Sequence, residues 1–155
     1  MKIITLKANG KGVRLGLVQA RFNEEITEKL LAGAMRAIKE TGVDDENVFL
    51  VKVAGALEIP FALDALIASE EVDAAVALGA VIKGDTYHFE IVCNECAAGI
   101  TRVMLDNGVP IGNAVLTTYT EAQAHERAEQ NGYEAVMAAL ELVDFDDAIT
   151  EVLDE

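Results

Sequence analysis

Few residues of this chain are suited to chemistry, and several of them gather in one stretch, GAVIKGDTYHFE at 79–90. It contains His88, one of two histidines among 155 residues. An imidazole titrates near neutrality, which suits a proton carrier. Packing and metal ligation are the competing uses. A metal needs partners at ligand spacing, and the other histidine, His125, stands alone in the sequence. No metal is expected.

Gly84, Asp85 and Thr86 lie just before His88 and outline an anion site. Free N–H groups at a helix start favour phosphate, and the Thr86 hydroxyl adds a donor. The same residues also fit an ordinary helix cap. The Asp85 carboxylate opposes an anion unless only its N–H is used. Cys93 and Cys96 form CNEC, which fits a redox pair, half a zinc site or two buried thiols. A helix starting near Asp85 or Thr86 puts both cysteines about two turns inside it, away from the N-terminal position that activates a thiol. That favours the buried reading and leaves a thiol oxidoreductase as an alternative.

These groups have to be positioned by the elements around them. VRLGLVQA (13–20) reads as a buried strand. The following NEEITEKLLAGAMRAIKETG carries Ile26, Leu30, Leu31, Ala34, Met35 and Ile38 at helical spacing, with Asn23 as N-cap and Gly42 as terminator. VFLVKVAG (48–55) is a second strand, and LEIPFALDALIASEE a helix with Pro60 near its first turn. DAAVALGAVI (73–82) is apolar on both faces, as a central parallel strand should be. A helix over about 86–106, a strand GNAVLTT (112–118) and a helix opened by the capping box TEAQ (120–123) follow. Helical periodicity resumes from Tyr133, and IITLKAN (3–9) is an extra edge-strand candidate.

The alternation predicts one α/β domain over 1–155. Its expected form is a three-layer sandwich: a mainly parallel four-stranded sheet with helices on both faces, an N-terminal arm (1–12) and an acidic tail (144–155) read as a solvated helix face. Ligands in such sheets bind beyond the carboxyl ends of the strands. RFN, AGALEIP, IKGDTYH and LTTYT stand there, bringing Phe22, the small residues Gly55 and Ala56, Leu57 and the Glu58 carboxylate to one end.

A net charge of -15 excludes nucleic acid as a partner. No apolar run reaches the roughly 18 residues of a membrane span, and MKIITLKANG lacks the apolar core of a leader. A cytoplasmic location is expected. From the residues alone, the function is proton transfer on a small phosphorylated ligand without metal.

ARFN, VAGALEIP, ALGAVIKGDTYHFE, NE, NAVLTT and QAHERA, in this order between about residues 13 and 142, closely resemble the lumazine synthase family of riboflavin biosynthesis. The resemblance implies a transferase that condenses 5-amino-6-(D-ribitylamino)uracil with 3,4-dihydroxy-2-butanone 4-phosphate. Phosphate and water leave, and no cofactor takes part. Phe22 would stack on the pyrimidine. Ala56, Leu57 and Glu58, with Ala80, Val81 and Ile82, would hold its edge and the ribityl chain. Gly84, Asp85 and Thr86 would cradle the phosphate, Arg127 would clamp it, and His88 would carry protons. The resemblance also implies a homo-oligomer built on pentamers, paired as decamers or assembled into 60-subunit shells. Its active site would lie at a subunit interface, and IITLKAN would join a neighbour's sheet.

Two departures stand out. Asn113 occupies a substrate-binding position where many relatives carry an aromatic, so altered packing is expected there. The 128–132 segment, AEQNG, reads as a shortened loop without the lysines of many relatives, which bears on phosphate affinity and on shell contacts. A non-catalytic flavin-like binder of the same fold is the further alternative, opposed by the presence of His88, Arg127, Phe22 and the GDT turn.

Overall fold

The computed structural model describes residues 1–154. Four strands, β1 (Leu15–Ala20), β2 (Val48–Val53), β3 (Ala74–Ile82) and β4 (Ile111–Thr118), form one parallel sheet in the order β2-β1-β3-β4. Between and after them run α1 (Glu24–Thr41), α2 (Ile59–Ala68), α3 (His88–Asn107), α4 (Glu121–Val143) and α5 (Phe145–Leu153). The expected sandwich is present.

Its layers follow from the two-residue period of the central strands. Leu15 and Leu17 of β1 and Ala74, Val76, Leu78 and Ala80 of β3 meet the inner faces of α1 and α4. Val18 and Ala20, with Ala75, Ala77 and Val81, face α2 and α3. Both faces are therefore buried, as parallel pairing demands. Removing a side chain such as Leu17 or Leu78 from water contributes on the order of 1.5–3 kcal/mol.

The helix ends match the sequence reading unevenly. Gly42 terminates α1 at φ 84°, its N–H bonding to the Ile38 carbonyl, a left-handed cap that glycine adopts without penalty. Thr120 and Gln123 close both halves of the capping box at the start of α4. Asn23 sits at the N-cap of α1 but makes no capping bond; its backbone is left-handed (φ 58°) and its amide goes elsewhere. The segment after β2 opens as a 3-10 turn over Ala56–Glu58, and α2 ends at Ala68. The helix expected from 86 begins two residues later, at His88.

Residues 128–132 are not a loop: they lie within the unbroken α4. Helices α1 and α4 touch at backbone distance there. A Cβ on Gly33 would run into the Glu129 carbonyl, and one on Gly132 into the Leu30 carbonyl. Glycine here serves close approach rather than a turn. Residues 3–9 form no strand in this chain's own sheet. The arm is tied to the far end of the chain instead, Lys2 Nζ donating to the Val152 carbonyl at 2.9 Å and the Lys7 N–H to Asp144 at 3.2 Å. The acidic tail is helical, with Asp146, Asp147 and Glu151 exposed and Ala148 buried, in keeping with a solvated face.

The close helix contact generates a prediction. Gly132→Ala is expected to destabilise the protein by about 1–3 kcal/mol, the usual cost of overpacking. Denaturant unfolding at a fixed protein concentration checks it; an unchanged midpoint contradicts the contact.

Candidate active site

The sheet opens at one end. Parallel pairing of β1 with β3 stops at Gln19 and Leu78. Beyond that point β1 stays with β2, the Arg21 N–H bonding to the Val53 carbonyl and that of Phe22 to the Ala54 carbonyl at 3.0 Å. Strand β3 stays with β4 through Ile82 and Thr118, and the Lys83 N–H continues the ladder to the Thr118 carbonyl. The parting falls between the two strands where the winding direction reverses, the place where α/β sheets bind ligands.

A cavity of about 450 Å³ fills the gap. From the β1–β2 side come Phe22, Ala54, Gly55, Ala56, Leu57 and Glu58; from the β3 side come Ala80, Val81, Ile82, Gly84, Thr86, His88, Phe89 and Val92. Phe22 is 72% exposed, an aromatic ring left on the rim with no core to pack into. His88 is exposed at the first position of α3, and its ring bonds to none of the described residues. Both nitrogens are thus open to a bound molecule. Gly84 precedes the helix as irregular backbone and Thr86 as a bend, and among the described residues no side chain caps α3. The plain-cap reading of the GDT turn is therefore wrong for its side chains: the N–H groups at the helix start have no side-chain acceptor.

Three expected site residues lie outside this cavity. Asp85 is exposed and does not line it. Arg127 lines a second cleft, of about 410 Å³, with Leu116, Thr118, Tyr119, Gln123 and Asn131 along the free edge of β4. Its guanidinium donates to the Gln123 carbonyl at 3.0 Å and lies 3.6 Å from Glu126. Among the described residues none lines both clefts; the Phe89 ring of the first lies 6.5 Å from the Tyr119 ring of the second. Asn113 lines neither, its side-chain oxygen accepting from the Val115 N–H on the same edge. Conversely, Ala54, Phe89 and Val92 line the cavity without having been singled out. Val92 lies one turn after His88 on α3, where helical spacing from the histidine was the available signal, and Phe89 follows the histidine directly.

The cysteines are removed from this chemistry. Cys96 is buried and Cys93 half-buried, both reduced, on the second and third turns of α3. Burial pushes the Cys96 thiol up to about 11, and burial with the Glu90 charge also raises that of Cys93. Neither has the activated thiolate that exchange needs. Among the described residues Glu25, Glu121 and His125 bring possible metal-ligand atoms together. The Lys29 ammonium already occupies His125 Nδ1 at 2.8 Å, however, and none of the three lines either cleft.

The family model for 6,7-dimethyl-8-ribityllumazine synthase matches residues 12–146. The chain belongs to the lumazine synthase family. A 6,7-dimethyl-8-ribityllumazine synthase of Cupriavidus metallidurans is 52% identical over 86% of this chain and 79% of that protein. One of Neisseria meningitidis is 50% identical over 91% of this chain and 89% of its own, and one of Ralstonia nicotianae 48% over 94% and 88%. Lumazine synthases are transferases of riboflavin biosynthesis that join an aminouracil to a butanone phosphate, and this chain is an enzyme of that family. An apolar cavity with a few polar groups at one end suits two small substrates better than a macromolecule. No helix among the described residues is long and apolar enough to cross a membrane.

The thiol chemistry is directly testable. At about pH 8 the native Cys96 is expected to alkylate on the order of 10²-fold more slowly than a free cysteine, since only the thiolate reacts. Timed mass spectrometry reads the rate; rapid, complete labelling of Cys96 contradicts the assignment.

Proposed function

We propose that the cavity between β1 and β3 is where this chain condenses 5-amino-6-(D-ribitylamino)uracil with 3,4-dihydroxy-2-butanone 4-phosphate. The observation that carries the reading is the meeting of Phe22, Glu58, Thr86 and His88 around one cavity, from three separate stretches of sequence. Phe22 stacks on the pyrimidine. Ala56, Leu57, Glu58, Ala80, Val81 and Ile82 hold its edge and the ribityl chain. Gly84, Asp85 and Thr86 receive the phosphate ahead of α3, Asp85 through its N–H alone because its carboxylate would repel the anion.

His88 moves protons. The amine adds to the ketone and water leaves to give a Schiff base; phosphate then departs, and closure of the ring by the second amine releases another water. Each step shifts a proton, and none needs a covalent bond to the enzyme. His88 stands at the helix start that receives the phosphate, so one group serves amine addition and phosphate departure without travelling. Most of the acceleration comes from holding both substrates in one orientation.

Arg127 completes the phosphate site from a neighbouring copy of the chain. Its placement in a cleft separate from His88 supports this, since one chain alone keeps the two apart. The assembly is a pentameric ring, with decamers or 60-subunit shells as higher forms, in the cytoplasm. The unpaired outer edge of β2, with Phe49 and Leu50 exposed, is suited to receive residues 3–9 of a neighbour as an added strand. Asn113 on the β4 edge approaches the pyrimidine across the same interface.

Two substitutions test these roles in an assay of lumazine absorbance and phosphate release. His88→Ala is expected to lower kcat on the order of 10²-fold, the low end for a lost acid–base group. Arg127→Ala is expected to raise KM for the butanone phosphate about 10- to 100-fold, as loss of a charged hydrogen bond does. Turnover like that of the unmodified protein in both variants would remove the assignment.

A further inference from the structure

We infer that Asn23 is a positioning residue for the aminouracil: its side chain is a clasp that fixes the width of the gap between β1 and β3. Asn23 Nδ2 donates to the Ala80 carbonyl at 2.9 Å. The acceptor lies two residues past Leu78, the last β3 residue paired with β1. The amide therefore stands where the ladder would have supplied a backbone donor, and it crosses the opening that the ligand needs.

Its two ends are the two walls of the cavity. Asn23 follows Phe22 directly, and Phe22 is itself fixed to β2 through the Ala54 carbonyl. Ala80 begins the Ala80–Ile82 wall. The left-handed backbone of Asn23, φ 58° and ψ 46°, is one that asparagine tolerates better than most residues. Its carbonyl accepts the first turn of α1 from Ile26 and Thr27 at 2.9 and 3.1 Å. The Thr27 hydroxyl, fully buried, donates to the Ala20 carbonyl and accepts from Gln19 Nε2. The chain entering α1 is thus held on both sides, and the amide is aimed across the gap instead of at its own helix. An asparagine that merely capped α1 would bond the N–H of the second or third helical residue; this one makes no such bond.

The proposal rests on the site reading above, and a direct binding measurement separates the two. The probe is 6,7-dimethyl-8-ribityllumazine, followed by its own fluorescence on the assembled protein. Phe22→Ala examines the site: unchanged binding there refutes the cavity as the heterocycle's site. Asn23→Gly examines the clasp, because glycine keeps the left-handed backbone and loses only the amide. Asn23→Asp keeps the shape but sets a carboxylate against a carbonyl.

With Phe22→Ala weakened, Asn23→Gly is expected to bind the probe about fivefold to tenfold more weakly, the loss of one hydrogen bond, and Asn23→Asp more weakly still. In steady state KM for the aminouracil rises by the same factor while KM for the butanone phosphate stays unchanged, a split that general loosening would not produce. Unmodified affinity in both Asn23 variants, or equal rises in the two KM values, overturns the clasp. Failure of both variants to fold also overturns it, since a bond at the cavity rim leaves the core intact.

Discussion

Hydrogen bonding between β1 and β3 ends at Gln19 and Leu78, and the rest of the molecule's function depends on that end point. Had the two strands stayed paired to their tips, the sheet would present a closed edge with its backbone groups satisfied. Instead each strand keeps its other neighbour, β1 with β2 and β3 with β4, and the sheet parts into two halves with a cavity between them. Chain order enforces this: β1 leads to β2 on one side, and the chain returns through β3 to β4 on the other. The crossover segments must then leave in opposite directions, and room opens between them.

The parting also decides where chemistry is possible. Phe22 stands at the rim because the strand behind it has left its neighbour, and His88 because α3 starts only after the GDT turn has cleared the sheet. The first N–H groups of α3 have no partner within the helix, and among the described residues no side chain caps them. Behind this open end the two apolar layers are continuous, and the near-backbone contact of α1 with α4 makes the scaffold stiff where the site is not.

The fold was largely legible because its signals are local. The doubly apolar β3 and the reciprocal bonds of Thr120 and Gln123 follow from short stretches of sequence, and each lies where composition placed it. The misreadings share a different cause. Asn23 before a helix reads as a cap, since nothing nearby reveals that β3 has lost its β1 partner at Ala80. Gly132 in AEQNG reads as a loop, since the reason for glycine is the Leu30 carbonyl, about a hundred positions away. For the site, one cavity is lined by Phe22, Ala56, Leu57, Glu58, Ala80, Val81, Ile82, Gly84, Thr86 and His88, all of them singled out in the sequence. Arg127 and Asn113 stand apart from it on the β4 edge.

That separation makes mixed oligomers the most direct measurement of the central claim, that a working site joins the cavity of one chain to the β4-edge cleft of the next. His88→Ala and Arg127→Ala chains are unfolded, mixed in equal amounts, reassembled and assayed at limiting butanone phosphate. If His88 and Arg127 of different chains meet in each site, random mixing around a closed ring restores both intact residues at about a quarter of the interfaces. Turnover then rises well above the average of the two variants toward about a quarter of the unmodified enzyme's. Turnover that stays at that average would show that each chain must supply both residues to its own site, and would contradict the account.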